Sequence, residues 1–233
     1  MKIHREKFKT MHNVFDQFTE RNIFKLVSQG YFEALESPIS IGKEANVFSA
    51  LRKDGTRAAI KIYRLSNCDF NKMHQYMLED PRFVNVKRAK RDTIFAWAKR
   101  EYMNLCNARD AGVNVPTAYG FLYNILIMEF IGNGEAAQKL TRAPANNPQT
   151  FLKEIIDNYR KLYRAKIVHG DLSPFNILNH HEHPVFIDMS QSTTLENPHA
   201  ETYLKRDCRN LATFFAKHGV RITADELEEQ ITT

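Results

Sequence analysis

The sequence predicts an α+β chain of two lobes, the first a five-stranded antiparallel sheet with one long helix, the second mainly helical. Three observations carry this expectation. The stretch "ISIGKEANVFSALRKDGTRAAIKIY" passes through a tight loop and an Asp54-Gly55 turn, the pattern of an antiparallel meander of three strands. Two short apolar runs after Pro116, "TAYGFLY" and "ILIMEFI", bring the strands to five. Beyond them "GNGEAAQKLTRAPANN", rich in Gly and Asn with a Pro, reads as a linker into sequence of helical period.

Taken in order, residues 1–37 read as a helical extension. Thr19 is its expected N-cap, Ile23, Phe24, Leu26 and Val27 its apolar residues, and Gly30 its stop. The first lobe spans 38–131, with strand-like sequence from Ser40. After the third strand, about 25 polar and basic residues lack a clear period. The amphipathic helix "TIFAWAKREYMNLCNARDAG" then ends at Gly112. The second lobe, 132–233, opens with "PQTFLKEIIDNYRKLYRAK", whose Phe151, Leu152, Ile155, Ile156, Tyr159, Leu162 and Tyr163 form one core stripe. A hairpin of "NIL" and "VFIDM" turning through "NHHEHP" follows, and "AETYLKRDCRNLATFFAKHG" is a further helix.

At 233 residues, 43% hydrophobic and 26% charged, the composition is that of an ordinary globular chain, which excludes fibrous and disordered classes. The longest apolar run falls short of the roughly 20 residues of a membrane helix, and "MKIHREKFKT" lacks the apolar segment of a signal peptide, so no membrane partner and a cytoplasmic location are expected. Cys68, Cys106 and Cys208 form no C-x-x-C pair, which argues against a disulfide framework or a zinc site. A net charge of +6 favours an acidic partner, nucleic acid foremost.

The chemistry concentrates in "VHGDLSPFNILNHHEHPVFIDMSQS". If "NIL" and "VFIDM" pair, Asn176 stands at the base of one strand and Asp188 at the end of the other, with Asp171 facing both from the preceding loop. Transfer of a phosphoryl group from a nucleotide needs such a set: an Asp near the attacking hydroxyl, and an Asn and a second Asp on magnesium. The spacing resembles the kinase catalytic loop H-R-D-x-x-x-x-N followed by a metal-binding Asp. Lys61, ending "AAIK" on the third strand, matches the phosphate-holding lysine of V-A-I-K, and Glu101 on the long helix is placed to pair with it.

With "SIGKEANVF" in place of a Gly-rich loop, "IKIY", "WAKREYMNL", "MEFIG", "HGDLSPFNIL", "IDMSQS" and "PHAETYLKRDC", the sequence resembles a RIO-type atypical serine/threonine protein kinase. "SQS" and "YLKRDC" resemble its type 1 branch; type 2 also carries a winged helix, for which the 37 leading residues are too short. The resemblance implies a two-lobed protein-kinase-like fold with a trimmed helical C-lobe lacking the usual activation segment, 45 residues following Asp188. It implies Asp171 as catalytic base, Asn176 and Asp188 as metal ligands, and Lys61 with Glu101 as the phosphate-positioning pair. Ser40, Gly42, Lys43, Glu44 and Ala45 are to cover the phosphates. Glu129 to Ile131 are to hold adenine through the backbone, with Met128 at the back of the pocket. Asp188 is further implied as the site of a transient phospho-aspartate, which joins ATP hydrolysis to kinase activity. ATP with Mg2+, or Mn2+ in its place, are the implied cofactors. A protein substrate or the chain itself, and the pre-ribosomal small subunit with its RNA, are the implied partners. Ile41 departs from the type 1 loop, where Thr is usual, and Pro174 stands where Glu is common.

A second function class stays open, an assembly factor whose ATP hydrolysis switches its hold on a pre-ribosomal particle; a small-molecule phosphotransferase of the aminoglycoside or choline type shares the H-G-D-x-x-x-x-N loop but lacks support in "GKEAN" and "SQS". "HHEH" reads as an exposed turn rather than a metal site. The segment from Arg82 to Arg100, with seven Lys or Arg against Asp92, reads either as a solvated face or, with Phe83, Phe95 and Trp97 interleaved, as a contact for RNA phosphates.

Overall fold

The computed structural model describes residues 15–66, 68–83 and 85–233. They divide into two compact units. One holds the described residues up to His74 with Val86–Lys99 and Ala118–Phe130; the other holds those of Gln75–Asn85, Arg100–Thr117 and Ile131–Thr233.

In the first unit, β1 (Ala34–Ile41), β2 (Ala45–Leu51), β3 (Arg57–Tyr63), β4 (Ala118–Leu122) and β5 (Ile125–Glu129) form the expected five-stranded antiparallel sheet, in the order β1-β2-β3-β5-β4. β1 starts at Ala34, ahead of the Ser40 expected from the period. Register shifts between Leu35 and Pro38 and between Pro38 and Ser40 break the alternation that would have marked its first half.

Helix α1 (Gln17–Ser28) lays Ile23 and Leu26 on one face of this sheet, in a core with Phe32, Phe48, Ile60, Ile62, Ile125 and Ile127. Its N-cap is Asp16, not Thr19: the Asp16 carboxylate accepts from the Thr19 backbone N–H at 3.0 Å and from its hydroxyl at 2.9 Å. The short Asp side chain in extended backbone satisfies a donor that the first turn otherwise leaves open. The stretch without apparent period holds α2 (Phe70–Leu78), where Met73, His74 and Met77 are buried. Its stripe runs for only two turns, too short to stand out from polar neighbours.

The long helix, α3 (Lys90–Asp110), passes from the first unit into the second at Arg100. The second unit also contains α4 (Pro148–Arg164), opened by Asn147, whose side chain accepts from Thr150 N–H at 3.0 Å. Six residues of its predicted stripe are buried; Tyr163 is half-buried. α5 (Ala200–Lys217) and α6 (Ala224–Thr232) pack beside it, α6 started by a Thr223–Glu226 capping box. The linker is not wholly irregular. It contains β6 (Gly132–Asn133), β7 (Glu135–Ala136) and β8 (Gln138–Lys139). Past α4 come β9 (Ile167–Val168), the hairpin β10 (Ile177–His180) and β11 (His183–Phe186), and β12 (Thr193–Thr194); β8 pairs with β10, and β9 with β12. Among the described residues no helix is long and apolar enough to cross a membrane.

Candidate active site

Three of the expected residues come together at the mouth of the β10–β11 hairpin. The hairpin is tighter than the sequence suggests, since only His181 and Glu182 lie between the strands, both at positive φ (54° and 65°), which matches a twisted two-residue turn. His183, just past it, meets Glu154 at 2.8 Å. At the other end Ile177 is opposite Phe186, and Ile187 N–H donates to the Asn176 carbonyl at 3.0 Å. Asn176 and Asp188 therefore flank the hairpin mouth.

The Asn176 amide nitrogen donates to the Asp171 carbonyl at 2.9 Å and to its carboxylate at 3.1 Å. Both partners are acceptors, so the nitrogen side of the amide must face Asp171 and Oδ1 must point away. Asp188 adopts the left-handed conformation (φ 60°, ψ 61°), a conformation an Asp tolerates better than most residues. Ser190 Oγ donates to its carboxylate at 2.8 Å. The second serine of "SQS", Ser192, donates instead to the His169 carbonyl at 3.0 Å. These two bonds give that motif separate jobs, one on the carboxylate and one on the loop.

The loop itself is held from beneath. His169 is buried, with Nε2 3.2 Å from the Ile187 carbonyl and Nδ1 3.4 Å from the Asp171 N–H. A carbonyl on one side and a donor on the other select the Nε2–H tautomer. Gly170 has φ +80°, and a Cβ there would meet the Gln191 carbonyl at 3.0 Å, so glycine answers both a conformational and a steric demand. Arg206 donates to the Gly170 carbonyl.

Sequence reasoning passed over Asp207. This fully buried carboxylate on α5 accepts from Gly170 N–H and Leu172 N–H, both at 2.8 Å, and from the Tyr159 hydroxyl at 2.6 Å. It grips the backbone on both sides of Asp171. Burial pushes its carboxyl up to about 7, against the pull of the three donated bonds. The same surroundings push the Tyr159 hydroxyl well above its usual range, burial first and the adjacent carboxylate second. A signal was available: Asp207 interrupts the stripe Tyr203, Leu204, Cys208, Leu211, and an acid on the buried face of a helix calls for donors. Asn104 was also passed over, and Arg82 and Arg100, expected on a solvated or RNA-facing segment, instead pair with Asp80, with Arg100 fully buried and Phe83 and Trp97 also buried; all three polar residues touch the backbone that follows Asp188.

In the first unit, strand register sorts the remaining residues. Lys61 is opposite Val47 on β2 and Leu126 on β5, Ala59 is opposite Met128, and Tyr63 is opposite Ala45. Lys61, Met128 and Ala45 thus share the sheet face that α1 does not cover. Lys61 is 7% exposed, its Nζ 5.2 Å from the Tyr63 ring centre. Gly42 N–H donates to the Ala45 carbonyl at 3.0 Å, and a Cβ on Gly42 would meet that oxygen at 2.8 Å, so only glycine closes this turn unstrained. Lys43 and Glu44 complete the turn, Ser40 precedes it on β1, and Ile41 stands 60% exposed. Glu129 ends β5, while Ile131, across the unit boundary, accepts from Ala137 N–H at 2.9 Å. Glu101 lies on the part of α3 belonging to the second unit and is 1% exposed.

The RIO domain profile matches residues 46–228. RIO-type serine/threonine-protein kinase Rio1 of Haloferax volcanii is 42% identical over 228 residues, covering 97% of this chain and 79% of that protein. Rio1 of Methanocaldococcus jannaschii is 38% identical, with 97% and 78% covered. Human serine/threonine-protein kinase RIO1 is 33% identical over 96% of this chain, which spans 40% of that longer protein. In fold, the Rio2 kinase-ADP/Mg2+-phosphoaspartate complex from Chaetomium thermophilum superimposes with a TM-score of 0.69 at 17% identity, over 91% of this chain and 65% of that one. A carboxylate-bearing loop gripped by a buried helix Asp, an amide and a second carboxylate at the hairpin mouth, and this degree of identity agree with one another: the chain belongs to the RIO-type serine/threonine-protein kinases, in the Rio1 branch.

Proposed function

We propose that the chain is an ATP- and magnesium-dependent protein kinase with associated ATP hydrolysis, acting on a protein Ser/Thr hydroxyl or on itself during maturation of the small ribosomal subunit. The observation that carries the reading is the hydrogen-bonded pair of Asp171 and Asn176 beside Asp188 at one hairpin mouth. Hard oxygen donors of this kind, an amide Oδ1 and a carboxylate, suit Mg2+ and accept Mn2+. Such an ion, held there, would supply charge stabilisation to the phosphate oxygens.

Asp171 takes the proton from the attacking hydroxyl, while the Asn176 amide fixes its carboxylate. Asn176 Oδ1 and Asp188 would hold the ion. On the family pattern, in which Glu101 is the partner of Lys61, Lys61 would position the α and β phosphates; Ser40, Gly42, Lys43, Glu44 and Ala45 would cover them, and Met128 with the backbone of Glu129 to Ile131 would receive adenine. For hydrolysis, an Asp188 carboxylate oxygen attacks the γ phosphorus, the bond to ADP breaks, and water then cleaves the acyl phosphate. The short path favours a share for this second reaction: residues 189–199 alone separate Asp188 from α5, with a 3-10 turn and β12 among them, which leaves little platform for an acceptor peptide. That makes the assembly-factor reading, an ATP-driven release switch, the second one. Lys87 and Arg88, exposed just before α3, and Arg91, exposed in its first turn where a helix ordinarily prefers acids, are the residues we assign to ribosomal RNA phosphates.

Asp171→Asn and Asp188→Asn test the division of roles. The first should slow transfer to a hydroxyl by about 10²–10⁴-fold while magnesium-ATP still binds. The second should weaken magnesium-dependent nucleotide binding and abolish transfer and hydrolysis alike. Equal defects in binding and in single-turnover transfer for both variants would refute the assignment.

A further inference from the structure

The backbone immediately after Asp188 is gripped by side chains that no ligand-binding role accounts for. The Asn104 amide nitrogen donates to the Met189 carbonyl and to the Ser192 carbonyl, each at 2.8 Å, and its oxygen accepts from Arg82 at 2.8 Å. Arg100 donates to the Gln191 carbonyl at 3.4 Å, and Arg82 to that of Ser192 at 3.3 Å. Asp80 pairs with both guanidiniums, at 2.7 Å from Arg82 and 3.2 Å from Arg100. Asn104, Arg100 and Asp80 are all fully buried.

A fully buried amide with both its nitrogen and its oxygen engaged is a rigid connector, because breaking any one bond leaves a buried donor or acceptor unpaired. Asn104 lies three residues beyond Glu101 on the same helix, so the two rise from one face of α3. Met189 is the residue next to Asp188, whose left-handed backbone needs its neighbours fixed to persist. We propose that Asn104 is a positioning residue for the metal site: it ties the helix bearing Glu101 to the peptide that aims Asp188, so that this carboxylate is held ready before nucleotide arrives. The inference rests on the reading of Asp188 as a metal ligand. Its consequence is a kinase whose metal-binding segment is fixed by burial rather than by a separate activating event.

The test measures ADP affinity with and without magnesium on the full chain. Asn104→Asp keeps the side-chain volume and the oxygen that Arg82 meets, but turns a second oxygen towards the carbonyls of Met189 and Ser192. The magnesium concentration for half-maximal enhancement of binding should rise about 10–100-fold, the usual effect of removing an outer support of a metal ligand, with magnesium-free ADP affinity within about twofold of the parent. Asn104→Ser removes the reach without adding charge and carries the test if the Asp variant does not fold. Leu162→Ala, a cavity in the same unit, controls for general loosening and should leave the magnesium requirement in place. An unchanged requirement in a folded Asn104 variant, while Asp188→Asn loses it, overturns the clamp alone. Equal loss of binding with and without magnesium also overturns it, by reducing Asn104 to a structural residue. If Asp188→Asn itself keeps the parent's magnesium response, the functional reading falls and this inference with it.

Discussion

Asp207→Asn probes the anchor beneath the catalytic loop, and its pH dependence has a definite sign. In the parent, one carboxylate oxygen accepts from Tyr159 and Gly170 and the other from Leu172. An amide with its oxygen towards the first pair turns its NH2 group at the Leu172 N–H, and leaving that buried donor unpaired costs about 1–3 kcal/mol. Against this stands the burial of charge. The carboxyl is raised from 3.8 to about 7. Between those values the unfolded chain has released the proton while the native protein keeps it, so parent stability falls as pH rises through the window, by about 1.4 kcal/mol per unit. From about pH 5 to above 7 the parent loses about 3 kcal/mol that the Asn variant, with no proton to release, retains. Urea unfolding of both proteins at pH 5 and pH 8, at constant ionic strength, measures the difference. Parent minus variant should drop by that amount. A difference that is constant, or that grows with pH, would mean the three donors keep Asp207 ionised throughout, and the reasoning from burial would be wrong. In either case the loosened loop should slow single-turnover transfer by about 10–10²-fold, since misplacing a reacting group by an ångström has that effect.

Two further outcomes follow from the first unit. Lys61→Ala should reduce transfer at saturating ATP by about 10²–10³-fold, the scale of removing one charge-stabilising donor, with the circular dichroism spectrum unchanged; parent-like turnover would remove Lys61 from the site. Neutralising Lys87, Arg88, Lys90 and Arg91 together should weaken RNA binding and shallow its slope against log salt by about 0.9 for each phosphate no longer neutralised, with ATP affinity unchanged; the parent's slope would return these residues to the solvated surface.

The sheet, the long helix and the hairpin were legible because each repeats a period over enough residues. What failed did so for local reasons. The first half of β1 is irregular, α2 is two turns long, and Asp16 competes with Thr19 for one cap. In the candidate site, Asp171, Asn176 and Asp188 could be proposed together because a short loop and a hairpin set their spacing, and the Asn176–Asp171 bond is what the structure adds. Lys61 could be proposed because "AAIK" on the third strand matches V-A-I-K, and the register puts it on the sheet face away from the Ile60 and Ile62 core.

Asp207, Asn104 and Arg100 were hidden by a different cause. Each reaches the loop or the segment after Asp188 through a backbone N–H or carbonyl: those of Gly170 and Leu172, of Met189 and Ser192, and of Gln191. A backbone contact leaves Leu172 or Met189 free to be almost any residue, so no pattern within the loop can report it. The trace lies on the helices instead, as a polar residue where the apolar stripe calls for an apolar one. That trace identifies burial without identifying purpose. Asn158 on α4 shows the same feature, buried, accepting from Asn114 N–H at 2.8 Å and donating to the Glu154 carbonyl at 2.9 Å; Asn114 in turn bonds Pro184 and Phe186, so Asn158 braces β11 rather than the loop of Asp171 or the segment after Asp188. Buried polar residues on helices are therefore a pool of candidates, and what separates an anchor of the active site from an ordinary brace is which backbone it grips.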